Sequence, residues 1–405
     1  MTDETTDITT QLSWRKILVP VLLGLVAAGG LLWWNLQNVT FVAADPSTEI
    51  TYKWIGSETK ALPNTSNEEE FRVAQDGSWR KTTASELLVN YHWHTKAIWA
   101  LLAALLMVAL RDLGYMYRIR LLTDKFFSWR KSFDVIMLWE FSSALTPSVV
   151  GGSGVAIFVL KREGINLGKS TAVIFITALL DELFYIVSVP LVILFIGTDN
   201  LFPKEPLFDV ITPATLRTLF YTGYAFILVL TTMILLGIFY FPNQTKRLLV
   251  GIFSFKLIRR WRHKVAQLGD EIILASKEFR GKNFWFWFKA LGSTVLSWGA
   301  RFLTLNFILL AFVGNFDHIE VIGRQLVMWV ILLISVTPGS SGIAELLMPA
   351  FFLYLPWEDP SLAPVLLVLA AIIWRLMTYF PYLFVGAAIL PSWLRRTSKK
   401  VRASA

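Results

Sequence analysis

Seven ionisable side chains sit inside stretches of sequence that are otherwise apolar: Glu140, Asp181, Glu182, Arg301, Arg324, Glu345 and Arg375. Arginine presents a planar fork of donors that fits a phosphate, and it keeps its charge at any ordinary pH. Arg375 and Arg301 are therefore candidates to hold the phosphate of an anionic ligand. Asp181, Glu182 and Glu345 would balance that charge or take protons. Glu140 either completes the cluster or snorkels to an interface. A different reading pairs the same groups into static bridges, Arg375 with Glu345 and Arg301 with Asp181 or Glu182. Other chemistry is poorly provided for. The absence of cysteine excludes disulfides, thiol nucleophiles and Cys-based metal sites. His92 and His94 lack a third ligand, and no Gly-rich phosphate loop, nucleophile elbow or His-Glu-x-x-His occurs. No metal, no cofactor and no catalytic residue are expected.

The segments that position these charges belong in a bilayer. The chain has 405 residues, 55% hydrophobic and only 17% charged, where a soluble protein carries about 25% charge. Runs long enough to span are expected from Ile17 to Leu36, Thr95 to Met116, Gly168 to Ile196, Leu216 to Tyr240, Trp285 to Val313 and Ala363 to Leu390. The first reads as a retained signal anchor. An unpaired charge at mid-bilayer costs roughly 2.5–3.5 kcal/mol, so four would cost on the order of 10 kcal/mol. The buried charges must pair or face a wet cavity. Arg111 and Asp112, at the inner end of the second span, are expected at the interface.

Charge also sets orientation. Tyr117 to Lys131 holds five Lys/Arg against one Asp, Asn243 to Asn283 holds ten against three acidic residues, and the tail after Pro391 holds five and no acid. The loop from Gln37 to Trp93 holds five against eight and contains two candidate strands, Glu49 to Ile55 and Phe71 to Arg80. The basic segments fall on one side, which is the cytoplasmic one. Both termini are thus expected in the cytoplasm, and the membrane is the cytoplasmic membrane of a bacterium or archaeon. The net charge of +9 lies where topology puts it, so no nucleic acid partner is expected. Residues 243–283 read as a basic amphipathic segment against the inner surface or docked on the bundle.

Two further apolar segments are broken by proline and glycine near their middles. Ser132 to Leu160 is interrupted from Thr146 to Gly154, with Pro147, Gly151 and Gly152 as turn residues. Glu320 to Leu355 is interrupted from Thr337 to Gly342, with Pro338, Gly339 and Gly342. Neither half of either segment is long enough to cross, so each is expected to enter and leave on one side, the first inside and the second outside. Thr-Pro followed by Ser153 to Ala156 in one, and by Ser341 to Ala344 in the other, makes a weak internal repeat of inverted orientation. Paired broken segments of this kind mark transport sites, because interrupted helices offer unpaired backbone groups at mid-depth. The expected fold is an all-α polytopic membrane protein, six spans plus two oppositely oriented re-entrant helical hairpins, in a single transmembrane domain over residues 1–405.

Pro338 to Glu345 resembles the Pro-Gly-Gly-x-Gly-x-x-Glu signature of the lysylphosphatidylglycerol synthase transmembrane, or flippase-like, family. Pro147, Gly151-Gly152 and Leu160 to Ile165 resemble that family's first motif. The resemblance runs from the first span to the tail. Ser340 stands where the signature has its second glycine, and Asp181-Glu182 where relatives carry Glu-Arg, which reverses a local charge. No soluble domain follows Leu390, so the resemblance implies a lipid-translocating membrane domain without lipid aminoacylation. The substrate would be an anionic, aminoacylated or polyprenyl-phosphate-linked lipid. Two other functions stay open: a headgroup-modifying enzyme using an acid-base pair such as Glu345 and Asp181, and a membrane partner of a separate glycosyltransferase or lipid synthase. Oligomeric state is not encoded in any of these features.

Overall fold

A computed structural model describes residues 39–44, 49–55, 68–89, 94–146, 148–203, 212–255, 262–333, 342–357 and 362–403, with scattered single positions between. The expected span Ile17 to Leu36 lies, those positions aside, outside the described residues, as do Pro147, Pro338 and Gly339. Strands β1 (Val39–Ala43), β2 (Tyr52–Trp54), β3 (Phe71–Val73) and β4 (Trp79–Thr83) are followed, among the described residues, by thirteen α-helices. These are α1 (Ala84–Val89), α2 (Thr95–Leu122), α3 (Trp129–Leu145), α4 (Ser148–Glu163), α5 (Leu167–Ile196), α6 (Pro213–Leu235), α7 (Pro242–Ile252), α8 (Arg262–Arg280), α9 (Phe284–Leu310), α10 (His318–Leu332), α11 (Ile343–Phe352), α12 (Ala363–Thr378) and α13 (Phe380–Ala403). The strands form an antiparallel sheet in the order β1-β4-β2-β3 within the acidic loop, held by stacked Phe41 and Phe71.

Among the described residues five helical stretches are long and apolar enough to cross a membrane: α2, α5, α6, α9 and Ala363–Thr397. They leave large apolar side chains such as Phe195, Phe226, Met233 and Phe284 exposed, a surface that water would not tolerate and lipid covers. The last stretch bends at Tyr379, where φ is −126°; Pro381 two residues on lacks an N–H and crowds the preceding turn. Helices α2 and α9 share the most extensive packing among the described residues. A Cβ on Gly114 would lie 2.3 Å from Ser297 Oγ, the small-residue contact that lets membrane helices meet backbone to backbone. The basic segment forms α7 and α8, which pack on one another, with α8 against α5.

The two broken segments are helix pairs, α3 with α4 and α10 with α11. Thr146 is extended, with φ −101° and ψ 138°, as the residue before a proline must be. The first break is tighter than expected: the helix resumes at Ser148, which places Gly151 and Gly152 inside α4 and not in the turn. Packing is the reason Gly152 is there, since a Cβ would come within 2.0 Å of Ser143 Oγ and 2.9 Å of its Cα. Gly152→Ala should therefore destabilise the protein by about 1–3 kcal/mol. Gly154→Ala, with nothing within 4 Å, should be neutral or stabilising; thermal unfolding in detergent compares the two. In the second break Gly342 has φ +84°, and Ser340, at the signature's glycine position, has φ +53°. A side chain in that region costs roughly 1–2 kcal/mol, which explains why glycine suits both positions.

Candidate functional site

The two breaks meet at one cavity of about 310 Å³, at the lower end of the roughly 300–1,000 Å³ usual for small-molecule pockets. Thr146 and Ser153 line it from the first break, Thr337 and Ser340 from the second. Helices α2, α3, α5, α9 and α12 supply charge: Arg111, Arg118, Glu140, Asp181, Glu182, Arg301 and Arg375 all face it. Of the six charged candidates, five line the cavity, and Glu345 stands directly behind Arg375.

Arg375 and Glu345 form a forked pair, Nε donating to Oε1 at 2.7 Å and Nη2 to Oε2 at 3.3 Å, with Nη2 also on the Ser340 carbonyl at 3.1 Å. Both are buried, at 6% and 2% exposure. Glu345 reaches back to accept the Gly342 N–H at 2.8 Å, satisfying an orphan donor at the start of α11. This pairing was one of the two alternatives the residue types allowed. It ties α12 to the second break.

The other arginines pair differently from either alternative. Asp181 is taken by Arg118, whose Nη1 and Nη2 donate at 2.5 and 3.0 Å, and by the Trp298 indole N–H at 2.8 Å. Arg118 belongs to α2, which runs to Leu122 and not to the expected end at Met116. It is 3% exposed and also donates to Thr294 Oγ1 at 2.9 Å, so it is a buried residue and not part of a cytoplasmic loop. Arg111 is likewise buried within the bundle. Its Nη2 lies 2.6 Å from Glu140 Oε1 and its guanidinium over the rings of Tyr382 and Tyr115. A helix of 3.6 residues per turn puts Arg111, Tyr115 and Arg118 on one stripe, a spacing that would have placed them together had α2 been drawn long enough. Asp112 accepts from Tyr382 Oη at 2.9 Å.

Arg301 is the exception. Glu140 is its ion partner at 3.8 Å, beyond hydrogen-bond reach, and not Asp181 or Glu182. Its guanidinium lies between the indoles of Trp298 and Trp329, 4.6 and 5.0 Å from their centroids. Arg301 Nε is buried without a hydrogen-bond partner, and so is Glu182 Oε2. A stacked guanidinium with vacant donors, facing a cavity, has the chemistry to pair with an oxyanion. Arg324 plays no part here. It is held by Glu320 at 2.5 Å and by the carbonyls of Asn200 and Phe351, away from the cavity wall.

Asp181→Asn would weaken both Arg118 contacts while keeping shape. We expect a loss of about 1.5–3 kcal/mol, the value of a hydrogen bond to a charged group, read from unfolding in detergent.

Helix number and exposed apolar flanks define a polytopic membrane protein, with an arginine-lined cavity inside its bundle. Residues 80–386 match the family described as the lysylphosphatidylglycerol synthase TM region, and the chain belongs to that lipid-related family. The match begins after the N-terminal run and most of the Gln37 to Trp93 loop, so the family likeness does not extend to the first expected span. The chain is also similar to the UPF0104 membrane protein of Archaeoglobus fulgidus, 26% identical over 328 residues, which cover 76% of this chain and 90% of that one. No solved structure matches the chain.

Proposed function

We propose that the protein moves a lipid with a phosphate headgroup between the leaflets of the cytoplasmic membrane of a bacterium or archaeon. In this reading α3–α4 and α10–α11 are re-entrant hairpins that enter from opposite sides, Ile17 to Leu36 supplies a sixth span, and both termini are cytoplasmic. The headgroup sits in the cavity with its phosphate on Arg301, assisted by Arg111, whose Nε and Nη1 also lack hydrogen-bond partners. Acyl tails stay in lipid at a lateral opening, and rocking of the two halves would expose the cavity to each leaflet in turn.

One observation carries this reading: both breaks converge on a cavity in which Arg301 is stacked, charged and short of donors' partners. A headgroup-modifying enzyme built on Glu345 and Asp181 is less well supported, since both carboxylates are engaged by arginine. A separate glycosyltransferase or lipid synthase as partner is compatible with the exposed basic segment but has no specific support. Native mass spectrometry of the detergent-solubilised protein tests the site. Retained phosphate lipid that Arg301→Gln loses supports it; equal retention by the variant rules Arg301 out.

A further inference from the structure

Pairing inside the cavity leaves one carboxyl out. Asp181 receives Arg118 and Trp298, Glu140 lies against Arg111, and Glu345 receives Arg375 and the Gly342 N–H. Glu182 lines the same cavity, has no ion pair among the described residues, and holds Oε2 buried without a hydrogen-bond partner. Among the described residues none of the charged and titratable groups around it bonds to Glu182. On α5 itself these are Asp181 and Tyr185; α2 brings Arg118, bonded to Asp181. From α9 comes Arg301, stacked on Trp298 and leaning toward Glu140 of α3, and from α12 comes Arg375, on Glu345. Helices α4, α6, α8 and α10 add no described charge to the cavity wall.

We propose that Glu182 is a proton-binding site, and that the cavity takes its anionic headgroup together with a proton on this carboxyl. With no cation bonded to it among the described residues and a cavity beside it, this carboxyl can take up and release a proton. An anion arriving on Arg301 adds negative charge nearby and tightens proton binding. By linkage, the proton tightens anion binding by the same factor. Carriage of both together makes a proton gradient a source of energy for lipid movement. The coupling rests on the transport reading above; the proton site does not.

Two measurements on the full-length protein separate them. Infrared difference spectra between mildly acidic and mildly alkaline buffer should show a protonated-carboxyl C=O band in wild type. Glu182→Gln should lose that band and Glu182→Asp should retain it. Proteoliposomes carrying a fluorescent phosphatidylglycerol then give the ratio of movement under the two orientations of a pH gradient. We expect a ratio of about 5 or more in wild type, in line with ordinary coupling factors, and a ratio of one in Glu182→Gln. A band that survives Glu182→Gln overturns the proton site. Wild-type movement that ignores gradient orientation overturns the coupling and leaves transport standing, whereas no movement at all sinks the transport reading while the band still decides the site. Unfolding temperatures of the variants, matched to wild type, show that a lost band is not lost structure.

Discussion

Arg375→Gln is expected to destabilise the protein by about 3–5 kcal/mol, the cost of stranding one partner of a buried ion pair. Glu345 is 2% exposed and receives two donors from Arg375. Without them a carboxylate stays buried beside an uncharged amide. The damage also reaches the second break, because Glu345 holds the Gly342 N–H and Arg375 holds the Ser340 carbonyl. Glu345→Gln should cost a similar amount, leaving the guanidinium stranded. The double variant, Arg375→Gln with Glu345→Gln, should be less destabilised than the two singles predict together, since no charge is left over. Chemical unfolding in detergent measures all three. Single variants that lose under about 1 kcal/mol would place the pair in a solvated, exchangeable setting, at odds with its burial.

Arg301→Gln should behave in the opposite way, with a large effect on ligand and a small one on stability. Its guanidinium makes no hydrogen bond among the described residues, and its one ion partner, Glu140, is also served by Arg111. Charge-assisted hydrogen bonds to a phosphate are worth about 1.5–3 kcal/mol, so affinity for a short-chain phosphatidylglycerol should fall about 10- to 100-fold. Arg301→Lys should recover only part of this, because an ammonium keeps the charge but lacks the flat fork and the stacking on Trp298 and Trp329. Titration of the solubilised variants with that lipid gives the comparison. A variant that binds as wild type does would remove Arg301 from the site.

Much of this site can be found in sequence because membrane burial makes polar residues conspicuous. Asp181, Glu182, Arg301 and Arg375 stand out from apolar runs, and the Thr-Pro breaks point to where helices must stop. What periodicity could not supply was partnership. Arg301 has two carboxylates in view on α5, yet it is α2 that delivers an arginine, Arg118, to Asp181. Arg118 itself was hidden by a rule that works on average: clustered Lys and Arg mark the cytoplasmic end of a span, and Arg118 counts toward such a cluster while pointing into the bundle. The glycines of the first break misled for a different reason. Gly151 and Gly152 follow a proline, as turn residues do, but Gly152 is required by the approach of Ser143 inside a helix pair, a constraint set by packing. Ser340 shows the converse, a left-handed backbone at a residue whose identity does not announce it.

The most direct test is movement of a fluorescent phosphatidylglycerol between leaflets of proteoliposomes, read by quenching from outside. Wild type should move the lipid well above protein-free vesicles, and Arg301→Gln, reconstituted to the same level and equally stable, should move it at least about tenfold more slowly, as one lost charge-assisted hydrogen bond implies. Movement by wild type no faster than in protein-free vesicles, or equal movement by Arg301→Gln, would contradict a headgroup pathway through the cavity between the two breaks.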